Sequence, residues 1–293
     1  MTLGKPRSII DLHTHVIASD QRAYPLAPLS GKQSDWARER PVTREAMLAA
    51  MDEAGIGQVA LVQASTTYGH DNRYVADSVA AHPDRFIGVY SISLTEADAV
   101  ERIDAWQGAG LHGMRVFIAG HTASDQGARL DDPLGFPVWE HVQKQDIPVC
   151  VQLRAHGLPQ LEAILQRFPG VRIVLDHFAR PSLEEGAPYA AAASLFELAR
   201  YPQLYCKLTT HNVRESKLGN ATQASFLRKA IDAFGASRIA WGSNFPASNG
   251  SLAALLQEAL EATASLSEQE RDWIFAGTAR AIYPSLAAQR EQA

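Results

Sequence analysis

Ile9-Ile10-Asp11-Leu12-His13-Thr14-His15 joins an apolar run to two histidines one residue apart. Residues 8–12 read as a strand, in which side chains alternate between faces, so His13 and His15 point the same way. Two imidazoles converging at the end of a buried strand suit a metal, a proton transfer or an anion. What the pair means depends on whether the rest of the chain builds a fold that gathers strand ends.

Working outward, short apolar runs alternate with helix-like stretches along the whole chain. Residues 43–54 place Met47, Leu48 and Met51 on one helical face, with Thr43 as cap and Gly55 as stop. Gln58–Val62 then reads as a buried strand. Further strands are expected at 86–90, 113–118, 148–153, 172–175, 204–208 and 239–242, each followed by a helical stretch. Strands that are apolar throughout, rather than alternating, belong to parallel sheets covered on both faces. Eight strand–helix alternations imply the α/β class and a closed (β/α)8 TIM barrel. The expected barrel occupies residues 1–293 as a single domain, with extra C-terminal helices after residue 266. The 293 residues suit this architecture, whose usual length is about 250. No Gly-x-Gly-x-x-Gly turn follows the first strand, which argues against an open dinucleotide-binding sheet.

Composition narrows the function classes. With 46% hydrophobic and 20% charged residues the chain is globular, and a net charge of −5 gives no footprint for nucleic acid. No apolar run is long enough to span a membrane, and residues 1–7 lack the apolar core of a signal peptide. Cys150 and Cys206 sit in apolar strand-like runs and read as buried thiols, which suits a reducing cytoplasm. A homo-oligomer is compatible with the sequence.

Catalytic residues of such a barrel come from the carboxyl ends of its strands. Polar residues do collect there: His13 and His15 after the first strand, then Gln63, Ser65 and Thr66, with His70 and Asp71 beyond. Arg115 sits on the fourth strand with His121 after it, and Gln152, Arg154 and His156 mark the fifth. Asp176, His177 and Arg180 follow the sixth, Lys207, Thr209 and His211 mark the seventh, and Ser243 and Asn244 the eighth. His82, His112 and His141 lie near helices or strand starts and read as surface or packing residues. The long loop at residues 18–41 is expected to fold over the strand ends, with Arg22 and Tyr24 setting specificity.

Taken as an ordered series, these segments resemble the amidohydrolase superfamily. Within it they resemble the amidohydrolase-related group that includes 2-pyrone-4,6-dicarboxylate lactonase and sugar lactonases. IIDLHTHV, LVQAS with GHDN, GLHGMRV, IVLDHFARP and IAWGSNFP carry the resemblance over nearly the whole chain. It implies that His13, His15 and His177 line the active site, with His177 polarising a lactone carbonyl. Arg115 and Arg180 would hold an acidic group of the substrate, with Gln152, Ser65 and Tyr24 as further substrate-binding residues. The expected reaction is hydrolysis of a small, carboxylated lactone or related ester.

Two departures from the family's pattern matter. The last strand of the family ends in aspartate, as metal ligand or base, whereas this chain reads Gly242-Ser243-Asn244-Phe245-Pro246. An amide cannot ionise, so Asn244 is expected to orient water while a histidine acts as base. The fifth strand supplies Gln152 where metal-binding members have histidine. A site without metal is therefore expected, with one zinc ion held by His13, His15 and His177 as the alternative. The rival functions are a metal-dependent hydrolase or decarboxylase, and a binding protein or impaired homologue that has lost its base.

Overall fold

The computed structural model describes residues 6, 8–29, 31–118 and 129–288, and His121 lies outside them. Eight strands form one sheet in sequence order: β1 (Ile10–Thr14), β2 (Gln58–Val62), β3 (Phe86–Ser91), β4 (Gly113–Phe117), β5 (Val149–Gln152), β6 (Ile173–Leu175), β7 (Leu204–Thr209) and β8 (Ile239–Gly242). Every consecutive pair is parallel. The segment after β8 closes the ring: Asn244 N–H donates to the His13 carbonyl at 2.8 Å, and His15 N–H to the Phe245 carbonyl at 2.9 Å. Helices connect the strands, so the expected (β/α)8 barrel is the observed fold.

The local reasons are those visible in the sequence. Thr43 accepts the Ala46 N–H at the start of helix Arg44–Ala54, and Gly55 ends it in the left-handed region. Its buried face is Met47, Met51 and Ala54. The strand residues divide between two cores. Val59, Leu61, Val149 and Val151 face the helices, while Ile10, Leu12, Ala60, Val62, Ile87, Cys150, Val174 and Ala240 fill the barrel. The C-terminal additions have a structural task. Helix Thr278–Ile282 and its neighbours bring Ala276, Ala279, Ile282, Tyr283 and Leu286 onto that inner core, closing the amino-terminal end.

Among the described residues, short helices that the sequence pattern does not signal include Asp35–Glu39, Ser65–Tyr68 and Thr210–Glu215. The last two start directly beyond β2 and β7 and so shape the mouth of the barrel. At β1 the register slips between Asp11 and Thr14. A bulge of this kind re-aims side chains. Leu12 packs inward with Ala60 and Val62, yet its neighbour His13 also reaches the interior polar groups.

Candidate active site

A cavity of about 230 Å³ opens at the carboxyl-terminal mouth, lined by His15, Ser65, Arg115, Gln152, His177, Arg180, His211 and Asn244, with Trp36 and Phe117. A larger hollow of about 760 Å³ around Trp273 and Arg280 lies at the other end of the barrel and contains no histidine. The polar strand ends therefore converge on the smaller one.

Hydrogen-bond partners set the proton positions on two of its imidazoles. His15 Nδ1 is 2.7 Å from the Val62 carbonyl, which only accepts, so Nδ1 carries the proton and Nε2 keeps a lone pair. His177 Nδ1 is 2.8 Å from Thr209 Oγ1, and that hydroxyl donates to Asn212 Oδ1 at 3.2 Å. The chain of donors runs from His177 through Thr209 to Asn212, so His177 Nε2 is also an acceptor. Asn212 completes the network by donating Nδ2 to the His177 carbonyl at 2.8 Å. Residues 177–180 form a left-handed turn, with φ of 56°, 50°, 57° and 48°. This region is disfavoured by about 1–2 kcal/mol for each residue with a Cβ.

Beneath the cavity lies a fully buried charged group. Asp176 Oδ1 is 3.0 Å from the Lys207 ammonium and 3.4 Å from His13 Nδ1, and Oδ2 is 3.1 Å from Arg115 Nε. Burial works to raise the Asp176 pKa, but the Lys207 and Arg115 cations outweigh it and hold the carboxyl well below its usual range. Burial likewise opposes charge on Lys207, and Asp176 and Cys150 more than offset it, so the ammonium persists. His13 is pushed down to about 3, chiefly by burial and against the pull of Asp176. Burial and then the neighbouring His13 ring hold His15 and His177 well below the ordinary imidazole value. All three rings are neutral at physiological pH. Asp11 ties the ends of β1 and β8 together, accepting the His13 N–H at 3.0 Å and the Ser243 N–H at 2.8 Å.

The amidohydrolase family profile matches residues 10–285. This chain belongs to the amidohydrolase family. It is 28% identical over 244 residues to an L-fucono-1,5-lactonase of Burkholderia ambifaria, covering 82% of this chain and 80% of that one. An amidohydrolase from Burkholderia multivorans with bound zinc superposes with a TM-score of 0.75 at 24% identity, over 94% of this chain and 99% of that one. A Pseudomonas putida structure bearing the name 2-pyrone-4,6-dicarboxylic acid hydrolase gives a TM-score of 0.76 at 22% identity, over 95% and 98%.

For an amidohydrolase the metal question is concrete. His13, Asp176 and His177 offer ligating atoms that all lie within 4.8 Å of one another. His15, expected as the third zinc ligand, is not in that group, and the buried Asp176 takes its place. With such a group present, and a zinc-bound amidohydrolase among the structural neighbours, a metal-free site does not follow from family membership.

The other expected residues fare differently. His15, His177, Asn244, Arg115, Arg180, Gln152 and Ser65 all line the cavity, whereas His13 lies beneath it. Tyr24 is not brought there: its hydroxyl donates to Asp77 at 2.6 Å and its ring packs on Tyr74. Both arginines have partners inside the protein. Arg115 donates to Asp176, the Gln63 carbonyl at 3.3 Å and Gln152 Oε1 at 3.3 Å, and Arg180 is paired with Glu215. Glu215 balances Arg180, but Arg115 and Lys207 share the single Asp176 carboxylate, so the buried group keeps a net positive charge that is compatible with an acidic substrate. Asn244 donates Nδ2 to Ser248 Oγ at 3.1 Å and to His211 Nε2 at 3.3 Å. Trp36, stacked 5.3 Å from the His15 ring, comes from the helix hidden in the long loop and was missed. Lys207 and Asp176 were visible as charges in apolar runs, and a buried charge of that kind demands a partner.

Proposed function

We propose that this amidohydrolase opens a small lactone with water, as the name of its curated relative suggests. The observation that carries this reading is the cavity in which two lone-pair imidazole nitrogens, an arginine and an amide converge. At about 230 Å³ it is smaller than the sites of drug-sized ligands, which suits a single sugar-like ring. Water, held by the Asn244 Oδ1 that its two donor bonds leave over, attacks the carbonyl carbon while His177 Nε2 takes its proton. Negative charge collects on the former carbonyl oxygen. Arg115 faces it with the two of its five N–H groups that Asp176, Gln63 and Gln152 do not use. Such stabilisation contributes about 3–4 kcal/mol in comparable sites. Collapse breaks the ring C–O bond, and the leaving oxygen receives the proton from His177, so lactone and water become one hydroxy acid. Burial makes His177 a weak base at rest, and the developing oxyanion strengthens it during the step.

The test is turnover of a neutral 1,5-lactone by wild type, His177→Asn and Asn244→Asp. His177→Asn should lower kcat by roughly 10²–10⁴. Unchanged turnover in that variant removes the mechanism. Asn244 also favours a second reading, in which the chain kept the pocket and lost its base. There Asn244→Asp should raise hydrolysis by about tenfold or more, whereas the lactonase reading expects equal or lower activity.

A further inference from the structure

Lys207 is used by no step above, yet its ammonium sits at the centre of the buried group. It lies 3.2 Å from His13 Nδ1, 3.0 Å from Asp176 Oδ1 and 3.2 Å from Cys150 Sγ, with its side chain fully buried. We propose that Lys207 is the built-in cation of this barrel, holding His13 as an Nε2–H donor and closing the His13–Asp176–His177 group to a divalent metal ion.

The argument begins with what an ammonium can do. It has only donors, so a bond to His13 Nδ1 requires a lone pair on that nitrogen, and the neutral ring must carry its proton on Nε2. The competing contact, Nδ1 to Asp176 Oδ1, is longer at 3.4 Å. His13 Nε2 has no hydrogen-bond partner among the described residues and is buried, as expected of a donor awaiting an oxygen. A metal ion would need either the His13 Nδ1 lone pair, which Lys207 occupies, or His13 Nε2 stripped of its proton. The second option puts a proton on Nδ1, 3.2 Å from the ammonium, with only the longer 3.4 Å contact to Asp176 Oδ1 to receive it. The only carboxylate of the group already faces two cations, Lys207 through Oδ1 and Arg115 through Oδ2. Three atoms at ligating distance therefore do not amount to a site, because the charge a metal would supply is already present. The residues fit an internal ammonium and not a second, divalent cation.

This inference stands apart from the lactonase reading, and neither of its measurements uses turnover. The first is zinc titration of metal-freed full-length protein, wild type and Lys207→Met, by calorimetry with metal content read on the desalted product. Wild type should take up no equivalent of zinc that depends on His13, as judged against His13→Gln. Lys207→Met should bind zinc tighter by roughly 100-fold. One equivalent of His13-dependent zinc in wild type, as tight as in the variant, overturns the proposal. The second measurement keeps the question open to refutation if the variant fails to fold. Wild type labelled with 15N-histidine is observed through its long-range proton–nitrogen couplings, with His13 assigned by its loss in His13→Gln. An Nε2–H tautomer for His13 is expected, and an Nδ1–H tautomer overturns the assignment.

Discussion

Glu215 decides what Arg180 is free to do. Its Oε1 receives Arg180 Nε at 3.1 Å as well as a second guanidinium N–H, and both side chains are about a quarter exposed. An arginine held this way offers little net charge to a substrate, whereas a freed one would make charge-assisted bonds to a carboxylate. Glu215→Gln should therefore lower KM for a carboxylated lactone by about tenfold while leaving that for a neutral lactone within about twofold. Steady-state kinetics on the matched pair checks this, and equal change for both substrates would sink the charge-balance argument. His13, His15, His177 and Asn244 were legible because they lie in short motifs at strand ends. The state of each was not, because its partners, such as Lys207 for His13 and Thr209 for His177, are far away in sequence.

At the scale of elements, the left-handed turn at residues 177–180 and the helix Thr210–Glu215 form one device. The turn is held by Asn212, which reaches the His177 carbonyl and accepts from both Thr209 N–H at 3.1 Å and Thr209 Oγ1. Asn212→Leu removes all of these bonds and leaves buried polar groups unpaired, which costs about 1–3 kcal/mol for each group stranded. The expected result is a lower urea midpoint together with a fall in kcat of about tenfold or more at nearly constant KM, since His177 loses its orientation. Loss of stability with kcat intact would show that Asn212 braces the turn without positioning the base. Sequence pattern gave no warning of this element: Thr209, Thr210 and Asn212 look like ordinary strand-end polar residues, and four residues at positive φ without glycine follow no local propensity. Gly242, by contrast, has a local reason, because a Cβ there would lie 2.6 Å from that of His13 where β8 meets β1.

For the whole molecule, burying several neutral imidazoles ties stability to pH. His13, His15 and His177 have folded-state pKa values below the unfolded value, so below about pH 6.5 the unfolded chain binds protons first. Stability is then full above that pH and declines as pH falls, by up to about 1.4 kcal/mol per pH unit for each ring. Asp11 acts in the opposite sense: burial raises it to about 6, so the folded state takes up its proton first between about 6 and 3.9. His112, lowered by burial in the same sense, makes four imidazoles against one carboxyl, which predicts a net loss. Urea denaturation at pH 7 and pH 5 should show a lower midpoint at pH 5, and a flat or rising midpoint contradicts the buried-neutral assignment.

The sequence by itself determined the barrel, the order and approximate limits of its eight strands, and the mouth where polar residues gather. These follow from periodicity and from turn and cap chemistry, which act over a few residues. Thr43, Gly55 and the apolar runs are sufficient for that. Tertiary structure alone decided which charges meet. Arg115 of β4 and Lys207 of β7 converge on Asp176 just beyond β6, Arg180 closes on Glu215, and Tyr24 turns away to Asp77. Electrostatic pairing acts through space at a few ångströms, and sequence separation carries no information about it. His13-Thr14-His15 is thus a strand-end histidine pair by sequence, while its chemistry belongs to a lysine 194 positions further along the chain.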